Sequence, residues 1–290
     1  METNIQKALV IVNFSCERGG SGTKLDVGHS KKYEEENGIK KGKDGKAVSR
    51  TYIDIYGDAQ ETFKQPTKIY QRAWARHQLY TIAKSGKDSL IAVKTMDKHH
   101  QEMESYRQEF ENAVSEILDR FQEMKDNAIV KYNGKLDESD FPTVEYLMEK
   151  FSWRIERKPL PDANAFDNAL GSKELEDQIR DEVKETLTKT FNSAIQNVIE
   201  RFIEHITKIN KQLNGDDAVA DATLTNFAEF MEILPDLNVS GCPKIEKAYE
   251  DAKYLFKYDA TATKDQSVKD ELSSKSESIL NDLTAIYGGK

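Results

Sequence analysis

Positively charged residues recur every four positions along one predicted helix, which runs from about Gln65 to Lys84 with Pro66 near its first turn. A spacing of four places side chains on one helical face, and aromatic residues lie among these cations. Cations suit contact with phosphates, and aromatic rings suit stacking on bases. The sequence therefore predicts a nucleic-acid-binding face formed by Lys64, Lys68, Arg72, Trp74 and Arg76. The alternative is a solvated basic face above an aromatic core stripe, Tyr70, Ala73, Trp74 and His77.

Residues that could bind a metal ion or act as a nucleophile are scattered along the chain. None of the histidines stands at a strong metal-binding spacing; His100 and Glu104, four apart, could share an ion or be exposed helical neighbours. There is no Gly-x-Ser-x-Gly motif, and the glycine-rich turn before Lys24 lacks the phosphate-loop spacing. We therefore predict a non-enzymatic protein with no catalytic residues, no metal and no cofactor. The alternative is a catalytic site assembled from residues distant in sequence.

Charge is distributed unevenly along the chain. Residues 1–100 contain 18 Lys and Arg against 12 Asp and Glu, whereas the remainder contains 24 against 39, for a net charge of -9. This split indicates either a polyanion site in the basic third or docking of the two parts on each other. The alternative is that helical surfaces simply differ in charge.

Features of membrane and secreted proteins are missing from the sequence. No apolar run approaches the ~18 residues of a membrane span, and the residues before Ala8 are not a basic signal-peptide start. Cys16 and Cys242 have no ligand-like spacing, so we predict free thiols in a reducing cytoplasm.

Two long amphipathic helices are predicted. In the first, about Asp97 to Tyr132, apolar residues from Phe110 onward form a heptad seam. In the second, Ser172 to Leu213, an eleven-residue repeat keeps one stripe on a nearly straight helix, through Leu187, Phe191, Ile195, Val198, Phe202, Ile206, Ile209 and Leu213. A long antiparallel helical hairpin is the simplest arrangement of such helices. The alternative is a coiled coil between chains, and so a homo-oligomer.

The predicted fold class is mainly α (α+β), with a small N-terminal β-containing module beside the helical body. Apolar and alternating runs predict strands at 7–14 and 48–55, which we expect to pair, and at 89–93 and 151–158. The predicted domains are a basic α+β module (1–95), the helical hairpin with a short helix and strand (96–240), and loosely docked C-terminal helices (241–290).

Prolines and aromatic residues around the predicted strand at 151–158 form a recognisable pattern. It comprises Asp140-Phe141-Pro142, Lys150-Phe151-Ser152-Trp153, Pro159-Leu160-Pro161-Asp162 with Phe166, and the later Leu234-Pro235-x-Leu237-Asn238. Over about residues 48 to 239 the chain resembles a family of uncharacterised tailed-bacteriophage proteins. The motifs are structural, so the resemblance implies no site residues. It implies a bacteriophage protein that works in the host cytoplasm.

From these features we expect a non-enzymatic bacteriophage protein that acts by binding, as an accessory factor in phage DNA metabolism or host takeover. One alternative is an anti-defence inhibitor that docks on a host protein complex through its acidic helices. Another is an adaptor for a phage ATPase. The expected partners are a phage or host protein and, for the basic face, DNA; no membrane partner is expected.

Overall fold

Helices account for most of the residues that the structure describes. This computed structural model describes residues 7–19, 23–25, 52–54, 59–85, 87–132, 136–165, 167 and 172–287. The helices of that part are α1 (Gln60–Tyr80), α2 (Met96–Lys131), α3 (Val144–Glu149), α4 (Lys173–Leu213), α5 (Asp221–Leu237), α6 (Pro243–Ala252) and α7 (Gln266–Tyr287). The strands are β1 (Leu9–Arg18), β2 (Thr23–Leu25), β3 (Tyr52–Asp54), β4 (Thr81–Ser85), β5 (Asp88–Ala92) and β6 (Phe151–Lys158). The predicted fold class, mainly α with a small β-containing module, is confirmed.

The chain divides into two compact units, each built from segments that are distant in sequence. The first unit comprises the described residues of 1–14, 76–101 and 155–290, and the second those of 15–75 and 102–154. The divisions fall inside β1, α1, α2 and β6, so each of these elements contributes to both units. The predicted domains were contiguous segments, because sequence patterns locate linkers but do not show which distant segments pack together.

The larger sheet has the strand order β4-β5-β1-β6. β1 runs antiparallel to β5, with Leu9 opposite Ala92, and β4 is antiparallel to β5. The predicted pairing of residues 7–14 with 48–55 is wrong, because the described part of 48–55 is β3, which pairs with β2 in a separate sheet. Burial explains the choice of partner. β5 is buried from Ser89 to Ala92, so its pairing with β1 keeps the apolar run of β1 beside another buried strand in the core.

Helix α4 is the central element of the first unit. The predicted ends are confirmed: the Ser172 hydroxyl caps the start by accepting from the Leu175 N–H at 3.4 Å, and Asn214 caps the end. The predicted stripe is buried at Leu187, Val198, Phe202, Ile206, Ile209 and Leu213. Ala194 and Ile199 are buried beside it, so the apolar arc is wide enough to be covered by several neighbours.

The element that packs most extensively on α4 is the helix α7, followed by the strand β4 and the helix α5. The predicted hairpin placed α2 along this stripe; within the first unit α7 takes that position. The sequence predicts that the C-terminal helices dock loosely; in the structure Leu272, Ile279 and Leu283 of α7 are buried in the same core as α4. The stripe of α7 is weak in sequence, and its apolar residues are buried because they pack on the broad apolar arc of α4.

The second unit has its own core around the seam of α2. Phe110, Ile117, Phe121, Met124 and Ala128 are buried along this helix. They pack within the unit on side chains of shorter elements, among them Phe63, Leu136, Phe141, Leu147 and Phe151. The heptad seam is therefore covered, at least in part, from within its own unit.

Candidate functional site

The basic row of α1, defined as Lys64, Lys68, Arg72 and Arg76, begins beside a carboxylate that the sequence analysis did not include. Helix α1 starts at Gln60 rather than Gln65, so Pro66 lies inside the helix and Glu61 lies in its first turn. The two lysine ammonium groups are 3.1 and 2.8 Å from the Glu61 carboxylate. These hydrogen bonds lower the pKa of Glu61. Both lysines are therefore paired within their own helix.

The two arginines of the row pair with carboxylates on other helices of their own units. In the second unit the Arg72 guanidinium lies 2.5 Å from the Glu109 carboxylate of α2. In the first unit the Arg76 guanidinium lies 3.0 Å from the Glu229 carboxylate of α5. The row thus sets four cations against three carboxylates, and its members are divided between the two units. A nucleic-acid phosphate would have to compete with these carboxylates for each cation.

Trp74, the aromatic member of the predicted nucleic-acid-binding face, lies half-buried against Tyr70. Their rings stack with centroids 6.0 Å apart and an interplanar angle of 26°. The Arg18 guanidinium lies 4.4 Å from the Tyr70 ring centroid. Ala73 and His77 of the alternative core stripe are fully buried, whereas Tyr70 and Trp74 are not. The two interpretations therefore each describe part of this helix.

A buried polar network in the first unit joins residues that the sequence could not pair. His77 Nδ1 lies 3.0 Å from His99 Nε2, and His77 Nε2 lies 3.0 Å from the Ser89 hydroxyl oxygen. Burial lowers the pKa of His77 to about 4, so the ring is neutral at physiological pH. A serine beside a histidine is the arrangement of an activated nucleophile. Here Ser89 is only 3% exposed, so we assign the network to core hydrogen bonding.

A cleft of about 340 Å³ opens in the first unit between α4 and the sheet. We call it the α4 cleft; its lining comprises Ile11, Asp88, Leu90, Leu160, Pro161, Glu182, Val183, Thr186, Leu187 and Thr190. The helical members are spaced by one, three and four residues, so they share one face of α4. Asp88 and Leu90 alternate with Ser89, which explains why these two line the cleft while Ser89 bonds to His77.

The carboxylates of the α4 cleft differ from the cations of the basic row in their partners. Asp88 accepts a hydrogen bond from the Asn13 side-chain amide at 3.1 Å. Glu182 accepts one from the Gln178 amide, also at 3.1 Å. In the part of the chain that the structure describes, neither carboxylate is ion-paired. Among the described residues, these two carboxylates are held by neutral donors and lie beside aliphatic side chains.

The α4 cleft is not predicted by any local sequence pattern, although one signal points to it. The apolar stripe of α4 continues upstream of Leu187 through Val183 and Leu175, but its cover does not: Val183 is half-buried and Leu175 is 46% exposed. A stripe that extends beyond its covering elements leaves apolar surface for another molecule. The sheet wall and the Leu160–Pro161 end come from distant segments, which no local pattern connects to α4.

Within the described ranges, no group of three or more His, Cys, Asp or Glu side chains is placed to hold a metal ion. Cys16 and Cys242 are free thiols, as predicted. No helix in these ranges is both long and apolar enough to cross a membrane. No protein-family model, curated protein or solved structure matches the chain.

Proposed function

We propose that this protein acts by binding a protein partner, and that the α4 cleft is the docking site. The observation that supports the proposal is the lining of the cleft, in which aliphatic side chains lie beside two carboxylates that no described cation pairs with. Its volume falls in the range of known ligand sites, and apolar clefts with a few polar groups are the usual form of such sites. No bond-making step is needed for this role.

The cellular setting follows from the resemblance over residues 48 to 239. We propose a non-enzymatic bacteriophage protein in the infected host, whose partner is a host or phage protein. Within that setting, protein docking favours host takeover, including inhibition of a defence complex, over direct contact with DNA. The acidic balance of residues 101–290 supports this order, because an acidic body repels DNA at low salt.

DNA binding by the basic row is the second candidate. It is favoured by the exposure of Lys64, Lys68 and Arg72, whose side chains remain about half exposed despite their ion pairs. Exposed ion pairs typically contribute only about 0–1 kcal/mol, so a phosphate can displace such a carboxylate. The stacked Tyr70 and Trp74 would then supply an aromatic platform.

Affinity capture from phage-infected cells, with and without nuclease, tests the proposal. Thr186→Trp places a large ring in the α4 cleft, and Thr188→Trp is the matched control, because Thr188 is exposed on the same helix outside the cleft. We expect the wild type and Thr188→Trp to retain the same protein, and Thr186→Trp to lose it, whatever the nuclease treatment. Loss of the captured material on nuclease treatment in all three would favour the DNA candidate.

A further inference from the structure

We infer that the occupant of the α4 cleft is an extended peptide segment of the partner, in which an aliphatic side chain stands next to a lysine or arginine. This inference rests on the proposed function and specifies the chemistry of the ligand. Three properties of the cleft lead to it: its aliphatic floor, its carboxylates and its length.

The floor of the α4 cleft is aliphatic. Leu90, Leu160 and Leu187 are buried members of the first unit's core, and Ile11 and Val183 pack beside them with part of their surface exposed. None of the described lining residues is aromatic. Burial of a further aliphatic side chain on this floor would remove apolar surface from water on both partners, which is the main favourable contribution to such contacts.

The carboxylates determine the sign of the charge that the cleft accepts. Asp88 is on the sheet wall and Glu182 is on the helix wall, and each is held by one neutral amide donor. In the basic row, each exposed cation has a carboxylate partner from the protein itself. In the cleft, by contrast, no cation among the described residues pairs with either carboxylate. A bound cation would therefore gain an attraction that no described residue already satisfies, and a bound carboxylate would be repelled.

The length of the helix wall favours a peptide over a single side chain. The lining residues of α4 extend from Glu182 to Thr190, about 12 Å at 1.5 Å per residue. An extended peptide covers that distance in about four residues. The Thr186 and Thr190 hydroxyls along this wall can donate to and accept from its backbone. Because β1 and β5 are both interior strands, the segment would lie over the sheet face rather than add to its edge.

Selection from a displayed library of random heptapeptides tests both the site and its chemistry. The full-length wild type, Thr186→Trp and Thr188→Trp serve as targets. The most enriched wild-type binder is then synthesised, together with versions in which its cation is replaced by citrulline or its aliphatic residue by Ala. Affinities are measured for the wild type and for Asp88→Asn/Glu182→Gln. Asp181→Asn/Glu185→Gln is the control, because it removes the same charge from α4 outside the cleft.

The expected result is enrichment of sequences that combine an aliphatic residue with Lys or Arg, on the wild type and Thr188→Trp but not on Thr186→Trp. Citrulline, and separately the Asp88→Asn/Glu182→Gln variant, should weaken binding about three- to tenfold, while the control double variant leaves it unchanged. Cleft-dependent binders that are neutral or acidic, or that tolerate citrulline, would overturn this inference and leave the proposed function standing. Equal enrichment on all three targets, or none, would overturn both.

Discussion

The basic row of α1 and the α4 cleft treat charge in opposite ways. Every cation of the row has a carboxylate partner within the protein, from Glu61 beside the lysines to Glu229 beside Arg76. In the cleft, Asp88 and Glu182 each accept a hydrogen bond from an amide, and no cation among the described residues pairs with them. The row is conspicuous in the sequence and largely neutralised in the structure, whereas the cleft is inconspicuous in the sequence and retains its charge. A run of like charges therefore locates a surface without showing whether that surface is available.

Part of the charge split along the chain is matched by internal ion pairs. Ion pairs within each unit join cations of the first hundred residues to carboxylates of the remainder, as in Arg72–Glu109, Arg76–Glu229 and Lys98–Glu232. Of the interpretations that the sequence left open, docking of the basic part on the acidic part accounts for these contacts.

The largest expected effect concerns the helix on which the cleft is built. Phe202 is fully buried, with its ring centroid 5.9 Å from that of Phe230 and 6.3 Å from that of Phe227. We expect Phe202→Ala to lower the free energy of unfolding by about 3–5 kcal/mol, because it removes a large side chain from a packed core. Leu175→Ala, at an exposed position on the same helix, is the control and should change it by less than about 0.5 kcal/mol. Denaturant unfolding followed by circular dichroism measures both. Equal effects would mean that the stripe of α4 is not buried.

The next effect is the response of the first unit to acid. His205 stacks on Phe230 with centroids 4.8 Å apart, and burial, reinforced by Arg201 and Lys208, lowers its pKa from 6.5 to about 4. Between these values the unfolded chain binds a proton that the folded chain does not, so stability should fall as pH drops from 6.5 to 4. Above pH 6.5 both states are neutral and the contribution is constant.

Replacement of His205 isolates this contribution, because carboxylates that also titrate in acid are shared by both proteins. His205→Phe retains a ring against Phe230 and removes the ionisable group. We expect the loss of stability between pH 6.5 and pH 4 to shrink by about 1–2 kcal/mol, a value reduced for the partial exposure of the ring. Unfolding free energies of the two proteins across this range provide the measurement. Parallel pH profiles would show that His205 titrates normally in the folded state.

The fold was more predictable than the site, for a physical reason. Periodicity and capping follow from local chemistry, so the ends of α4 at Ser172 and Asn214 and the burial of Phe202 could be predicted. Strand partners and helix partners depend on which distant apolar surfaces meet, so β5 as the partner of β1 and α7 as the partner of α4 could not. The cleft depends on those same pairings, since its two walls come from α4 and the sheet. For the basic row, the positions of the cations could be predicted, but Glu109 and Glu229 opposite them could not.

The smallest expected effect tests whether ion pairs within the protein prevent the basic row from binding DNA. Glu61→Gln leaves Lys64 and Lys68 without their carboxylate, and Glu185→Gln is the matched control, since Glu185 pairs with Lys189 on α4. Both substitutions change the net charge equally. We expect the wild type and Glu185→Gln to show no salt-dependent association with single- or double-stranded DNA at ~50 mM salt. Glu61→Gln should gain weak binding, because two lysines become available to phosphates.

The salt dependence of that binding identifies its origin. Each phosphate contact contributes a slope of about -0.7 to -0.9 to the plot of log affinity against log salt, so two released lysines should give a slope no steeper than about -2. Adding Lys68→Gln, Arg72→Gln and Arg76→Gln to Glu61→Gln should remove most of it. The contrary result would be a wild type that already binds DNA with a steep salt slope, which the triple substitution flattens. This result would show that the carboxylates do not prevent the basic row from binding DNA. The order of the two regions would then be reversed, with the basic row rather than the α4 cleft as the leading binding site.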